Sequence, residues 1–240
     1  AEPRFTPHSS SEAERPLVLD HAGRLYLQRY WQYERDLASG LLARVHAPVV
    51  DPVPADLLLA LFPPEEEGPA QRELFAPRAP DWQRVAAIAA LESRFCVISG
   101  GPGTGKTHTV AKILALLVEQ ARRAGRRAPR ILLLAPTGKA AARLKESIQA
   151  RLEELPVSAT TRAAIPTEAS TIHRCLGRRA GSRTRFRHDR DDPLRADVVL
   201  VDESSMVDLA LLARLVDALP PPARLILLGD EDQLASVEAG

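Results

Sequence analysis

The chain has 240 residues, 45% of them hydrophobic and 26% charged, and a formal net charge of +1. So even a balance excludes a globally basic nucleic-acid binder, and any such surface must be a local patch. The apolar share suffices for a folded core, and no apolar run reaches the ~18 residues of a membrane-spanning helix.

Residues 1–16, mostly "AEPRFTPHSSSEAER", are polar and expected to be loosely ordered. "LVLD" and "RLYLQRY" alternate apolar and polar residues and predict two short strands across the turn His21-Ala22-Gly23. An amphipathic helix carrying Trp31, Tyr33, Glu34, Leu37, Leu41 and Leu42 follows, then a short helix over 54–62. Residues 17–62 therefore read as a small N-terminal domain. The tyrosines and Trp31 suit either a partner interface or that domain's own core. "PPEEEGPAQRELFAPRAP", residues 63–80, combines prolines with a glutamate run and reads as a linker.

From residue 81 onward the pattern is regular. "WQRVAAIAALES" predicts a helix with Val85, Ile88, Ala89 and Leu91 as its apolar stripe. "RFCVIS" predicts a strand, followed by a glycine-rich loop and a helix over about 105–124. "RILLLAP", "ADVVLVDE" and "ARLILLGD" predict further strands, alternating with the helices "GKAAARLKESIQARLEEL" and "MVDLALLARLVDAL". Strands apolar throughout and separated by helices indicate an α/β fold, a parallel sheet covered by helices on both faces. Cys96 and Cys175 lie far apart without CxxC spacing and read as reduced thiols. No signal peptide opens the sequence, so a soluble cytoplasmic protein is expected.

"GGPGTGKT" matches G-x-x-x-x-G-K-[ST] between a strand and a helix. Glycines let successive N–H groups converge on one anion, and the helix turns its positive end to the same point. Gly100, Gly101, Pro102, Gly103, Thr104, Gly105, Lys106, Thr107 and His108 are thus the candidate binding residues for ATP. Lys106 would reach the β- and γ-phosphates, and the Thr107 hydroxyl would ligate Mg²⁺. "VVLVDE" ends a strand on Asp202, expected at a neighbouring strand's tip, where it holds Mg²⁺. Glu203 is placed to orient and deprotonate the attacking water, with an acidic helix cap as the competing reading.

"GGPGTGKT", "APTGKAA", "STIHRCLG", "VVLVDESSM" and "LGDEDQLASVEAG" occur in the order of motifs I, Ia, Ib, II and III of superfamily 1 helicases. With "RLYLQRYWQYE", the chain resembles the RecD family, the α subunits of exodeoxyribonuclease V, over roughly residues 17–240. Position 204 is Ser where many relatives carry Ala, a change between small residues. The resemblance implies a first RecA-like motor lobe over 81–240 and a bacterial, ATP-driven 5′→3′ single-strand DNA translocase acting with RecB and RecC in double-strand-break repair. It makes Gln83 an adenine reader, with a solvated glutamine as the alternative. Gln233 becomes a γ-phosphate sensor or, alternatively, a loop-capping amide. Thr137, Lys139, His173 and Arg174 become contacts to single-stranded DNA, with a solvated Lys139 and a structural His173 as alternatives. The arginine-rich loop 177–191 suits DNA contact and plain solvation equally. The sequence stops at Gly240, so motifs IV to VI and an arginine finger worth about 10³–10⁵ in rate are expected to be missing. Weak nucleotide binding without appreciable hydrolysis or unwinding is the expectation. A stand-alone RecD-like helicase and a non-catalytic nucleotide-sensing module are the rival readings.

Overall fold

The computed structural model describes residues 16–63, 80–101, 103–177 and 186–230. Leu17–Leu19 (β1) and Leu25–Leu27 (β2) form an antiparallel hairpin, the register pairing Leu17 with Leu27 and Leu19 with Leu25. Its turn is fixed by Asp20, whose carboxylate accepts from the N–H groups of Ala22 and Arg24 and from Arg24 Nε. Alternation puts all four leucines on one face, and each is about half exposed or more (47–69%).

Gln28–Val45 (α1) lies against Leu209–Asp217 (α8). Gly40 permits the close approach: a methyl group there would sit 2.5 Å from Val216 Cγ1. Leu37 and Leu41 face that contact, whereas Leu42 is turned to solvent. The buried Arg44 guanidinium donates to the carbonyls of Gly40 and, in the turn that follows α8, of Leu219 and Pro220. Tyr30, Trp31 and Tyr33 are half-buried, under the guanidinium groups of Arg29, Arg35 and Arg214 respectively. Ala55–Leu61 (α2) sends Leu58 and Leu61, with Phe62, into the same buried cluster as Ile113, Leu114, Leu144 and Ile148.

The remaining elements are Trp82–Glu92 (α3), Phe95–Ser99 (β3), Lys106–Arg123 (α4), Ile131–Ala135 (β4), Gly138–Glu154 (α5), Ala159–Ala163 (α6), Ala169–Thr171 (β5), Ile172–Leu176 (α7), Val198–Val201 (β6) and Arg224–Gly229 (β7). Five strands form one parallel sheet in the order β3-β7-β6-β4-β5. The two-residue alternation splits the core in two. Val198 and Leu200 join Ile131, Leu133, Ile226 and Leu228 under α4 and α5. Val199 and Val201 join Leu134, Leu225 and Leu227 under α7 and α8. Such double cover explains why the strand segments are apolar at every position. At the sheet's edge the cover thins, leaving Val97 of β3 exposed.

Three expectations need correction. The buried face of α3 is Ala87, Ala90 and Leu91, while Val85 and Ala89 point outward. Alanines bring α3 close to α4, and that close approach decides the face over side-chain size. The strand ending at Asp202 is not the immediate neighbour of the P-loop strand, because β7 lies between β6 and β3. The short elements β5, α6 and α7 were not predicted. Each has five residues or fewer, too few to display a period.

Candidate nucleotide and nucleic-acid site

In a parallel sheet all strands deliver their following loops to one edge. Here that edge carries, in spatial order, the P-loop after β3, Asp230 after β7, Asp202 after β6, Thr137 and Lys139 after β4, and His173 and Arg174 after β5. Chain order and spatial order differ, which brings residues 99, 202 and 230 into one row.

The P-loop conformation rests on Gly105, the residue preceding α4, at φ 81°. A side chain there would be strained, and its Cβ would sit 3.0 Å from Gln83 Nε2. Gln83 itself donates to the Thr104 carbonyl at 3.3 Å, held by a helix start where Asp81 accepts from the N–H groups of Gln83 and Arg84. Its neighbour Trp82 is 71% exposed. Thr104 Oγ1 donates to the Gly101 carbonyl at 2.9 Å. Gly105 offers no side chain to cap α4, so among the described residues its first N–H groups face the loop without a side-chain acceptor. The Lys106 ammonium bends back to the carbonyls of Gly100 and Gly101. Thr107 and His108 are half-buried on the first turn of α4. Burial, then Lys112 and Arg151, push the His108 pKa down, favouring a neutral imidazole.

Asp202 is half-buried; burial drives its pKa up, while the amide of Glu203 and the cations Lys106 and Arg143 pull against that shift. Lys106 and Asp202 thus sense each other across the intervening strand. Asp202 Oδ1 accepts from the Glu203 N–H at 2.9 Å. Glu203 is the sole non-glycine with positive φ (51°) among the described residues, a conformation that accumulates at functional sites. It precedes the 3-10 turn Ser204–Met206 without a side-chain cap bond.

Farther along the edge, Thr137 caps α5 by accepting from Ala140 N–H at 3.2 Å, with Gly138 and Lys139 exposed beside it. Thr171 caps α7 by accepting from Arg174 N–H at 3.1 Å. Ala135 and Thr171 are paired in register, so these two helix starts are adjacent. His173 and Arg174 are exposed, and the His173 ring lies 5.9 Å from that of Phe186. Pro102, Gln233 and residues 178–185 of the arginine-rich loop lie outside the described residues.

Sequence reasoning passed over Arg143, four residues after Lys139 on α5. That helical spacing, which puts two cations on one face, was the available signal. It also passed over Ser205, three residues after Asp202, whose Oγ is buried without a hydrogen-bond partner among the described residues. A serine next to "VDE" carries no pattern of its own.

The uncapped amides and left-handed glycine suit a polyphosphate. A buried carboxylate with a raised pKa suits a divalent cation that would hold it ionised. Residues 83–239 match the family model described as an AAA domain. The chain is 48% identical over 216 residues to the RecBCD enzyme subunit RecD of Mycolicibacterium smegmatis, covering 90% of this chain and 36% of that protein. It is 50% identical over 217 residues to the subunit of the same name from Mycobacterium tuberculosis, covering 90% and 34%. Against the ATP-dependent RecD2 DNA helicase of Deinococcus radiodurans, identity is 34% over 235 residues, covering 96% and 28%. The chain spans about a third of the length of these curated relatives. With most of its length inside that model, the chain belongs to the AAA domain family.

Proposed function

We propose that this chain is the nucleotide-binding motor lobe of an ATP-dependent single-strand DNA translocase, acting as the RecD subunit of an exodeoxyribonuclease V. The observation that supports this most is the row along the carboxyl edge of the sheet: nucleotide groups at one end, two exposed helix starts at the other, and the Asp202–Glu203 pair between them.

In this reading the amides of residues 103–107 and the Lys106 ammonium hold the triphosphate, Gln83 reads adenine with its two-sided amide, and His108 lines the same turn. Thr107 and Asp202 would hold Mg²⁺, which supplies charge neutralisation at the β- and γ-phosphates. Glu203 takes the proton of the attacking water, and its turn conformation fixes where the carboxylate sits. Lys106 leaves the carbonyls of Gly100 and Gly101 to engage phosphate. Gln233, following β7, would report γ-phosphate loss through the strand that lies between the P-loop strand and that of Asp202. Thr137, Lys139, His173 and Arg174 bind strand phosphates through amides, hydroxyls and charge. Travel is 5′→3′, the direction of the resembled family.

Residues 17–62 form the partner-facing layer. The four exposed leucines of the hairpin supply an apolar face of the kind protein interfaces bury, and the relatives' name points to RecB and RecC as the proteins that cover it. The D. radiodurans relative supports a second reading, a helicase working without those subunits. Co-purification with RecC, lost on Leu19→Asp/Leu25→Asp, separates the two.

The decisive experiment measures single-strand-stimulated ATPase in a protein of the relatives' full length carrying these residues. Glu203→Gln is expected to cut turnover by about 10²–10⁴ while leaving nucleotide affinity within a few-fold. Unchanged turnover would refute the assignment of Glu203.

A further inference from the structure

The opposite edge of the sheet, where the strands begin, holds a second polar cavity of about 240 Å³. Six segments meet there: the Asp51 stretch, the starts of β3, β6 and β7, the last turns of α4, and the α4–β4 connection. Four arginines line it, Arg94, Arg126, Arg127 and Arg224, against two carboxylates, Asp51 and Asp197. Both carboxylates are already engaged. Asp51 pairs with Arg126, and Asp197 accepts both terminal nitrogens of Arg127 at 2.8 and 2.9 Å. Arg94 and Arg224 find only carbonyl oxygens: Arg94 donates to Pro222, and Arg224 to Ala90 and Ser93. Neither has an acidic pairing partner among the described residues.

Arg224 is also 7% exposed. Burying a cation without a carboxylate in direct contact is costly, and burial together with neighbouring Arg94 pushes the Arg224 pKa down to about 10 against the weaker opposing pull of Asp51. Two guanidinium groups sharing one cavity, one of them buried, make a fork-shaped donor set for an oxyanion. The volume of about 240 Å³ lies below the roughly 300–1,000 Å³ of pockets for drug-sized ligands, and its two guanidinium groups suit a small oxyanion such as phosphate or diphosphate. The cavity is distinct from the P-loop. The 18 residues of α4 separate the two by about 27 Å at 1.5 Å per residue.

We propose that this cavity is an anion site for a free phosphate-class ligand, inorganic phosphate or diphosphate, held by Arg94 and Arg224. An occupant there ties the Asp51 stretch and the foot of α4 to three strand starts, stiffening the lobe from the side away from nucleotide.

The test titrates sodium diphosphate, without magnesium, into the Lys106→Ala chain by calorimetry, so that the P-loop contributes little. One bound equivalent is expected. Adding Arg94→Gln should weaken it by roughly tenfold or more, and Arg94→Lys, which keeps the charge but loses the fork, should weaken it by less than Arg94→Gln does. A single-stranded oligonucleotide should not compete; competition would assign the site to nucleic-acid phosphates and overturn the free-anion reading. No binding to Lys106→Ala, or an affinity indifferent to Arg94→Gln, would also overturn it. Should Arg94→Gln fail to fold, phenylglyoxal labelling answers instead. Diphosphate must protect Arg94 in the Lys106→Ala protein, and equal labelling with and without it counts against the site.

Discussion

The two ends of α4 are built on opposite principles. At its start, Gly105 offers no side chain, the first amides have no side-chain cap among the described residues, and Lys106 settles for loop carbonyls. At its end the side chains are used up by the protein itself. Gln120 donates to the carbonyls of Asp51 and Pro52, Arg122 and Arg123 hold Glu119, and Arg123 grips both oxygens of Asp56. A single helix thus keeps one terminus ready for a ligand and spends the other on fastening the N-terminal layer. Groups left under-satisfied mark where something else must bind; groups fully satisfied mark architecture.

This contrast can be broken in order of expected size. Lys106→Ala should weaken magnesium-ATP binding by roughly 10²-fold, read by calorimetry; retained affinity would mean that the start of α4 is not held for phosphate. Gln120→Leu at the other end should cost about 1–2 kcal/mol of stability in urea unfolding and leave nucleotide affinity unchanged. If nucleotide affinity fell with it, the two ends would be coupled rather than divided. Asp202→Asn sharpens the picture from the carboxyl edge of the sheet. The folded carboxyl has a raised pKa, driven first by burial. It therefore takes up a proton at higher pH than in the unfolded chain, and the nucleotide-free protein gains stability as pH falls through that folded value. The amide variant should melt about 1–4 °C higher near neutral pH and lose this dependence; a lower melting temperature would contradict the assignment.

The smallest effect concerns Glu119, held at about 2 by Arg122 first and by Arg123, against the opposing pull of burial. Its folded pKa is depressed, so its stabilisation is complete above its ordinary value of 4.5 and fades as pH falls through about 2. Glu119→Gln should flatten the loss of unfolding midpoint between pH 5 and pH 3. An unaltered slope would show that the arginine pair is idle.

What the sequence made legible follows from which constraints act locally. The P-loop and the Asp202–Glu203 pair are fixed by chemistry at short spacing, and each falls on the strand end or helix start that the motifs imply. The hairpin was readable because Gly23 and the alternation around Asp20 act within ten residues. The face of α3 was not, since periodicity cannot tell which neighbour comes close, and Ala87 and Ala90 won by being small. Nor could chain order reveal that the strand of residues 224–229 inserts between those of residues 95–99 and 198–201, because strand order is a property of the assembled sheet. Arg94 and Arg224 lie 130 positions apart and carry no shared pattern; only folding makes them neighbours.

The exposure of Trp82 gives the protein an optical handle. The sequence holds two indoles; Trp31 is tucked beneath Arg35, while Trp82 stands in water one position before the glutamine that touches the P-loop. Its emission therefore reports on the Gln83 side of the glycine loop without an added dye, and a Trp31→Phe chain would turn any ligand arriving there into a single-fluorophore signal.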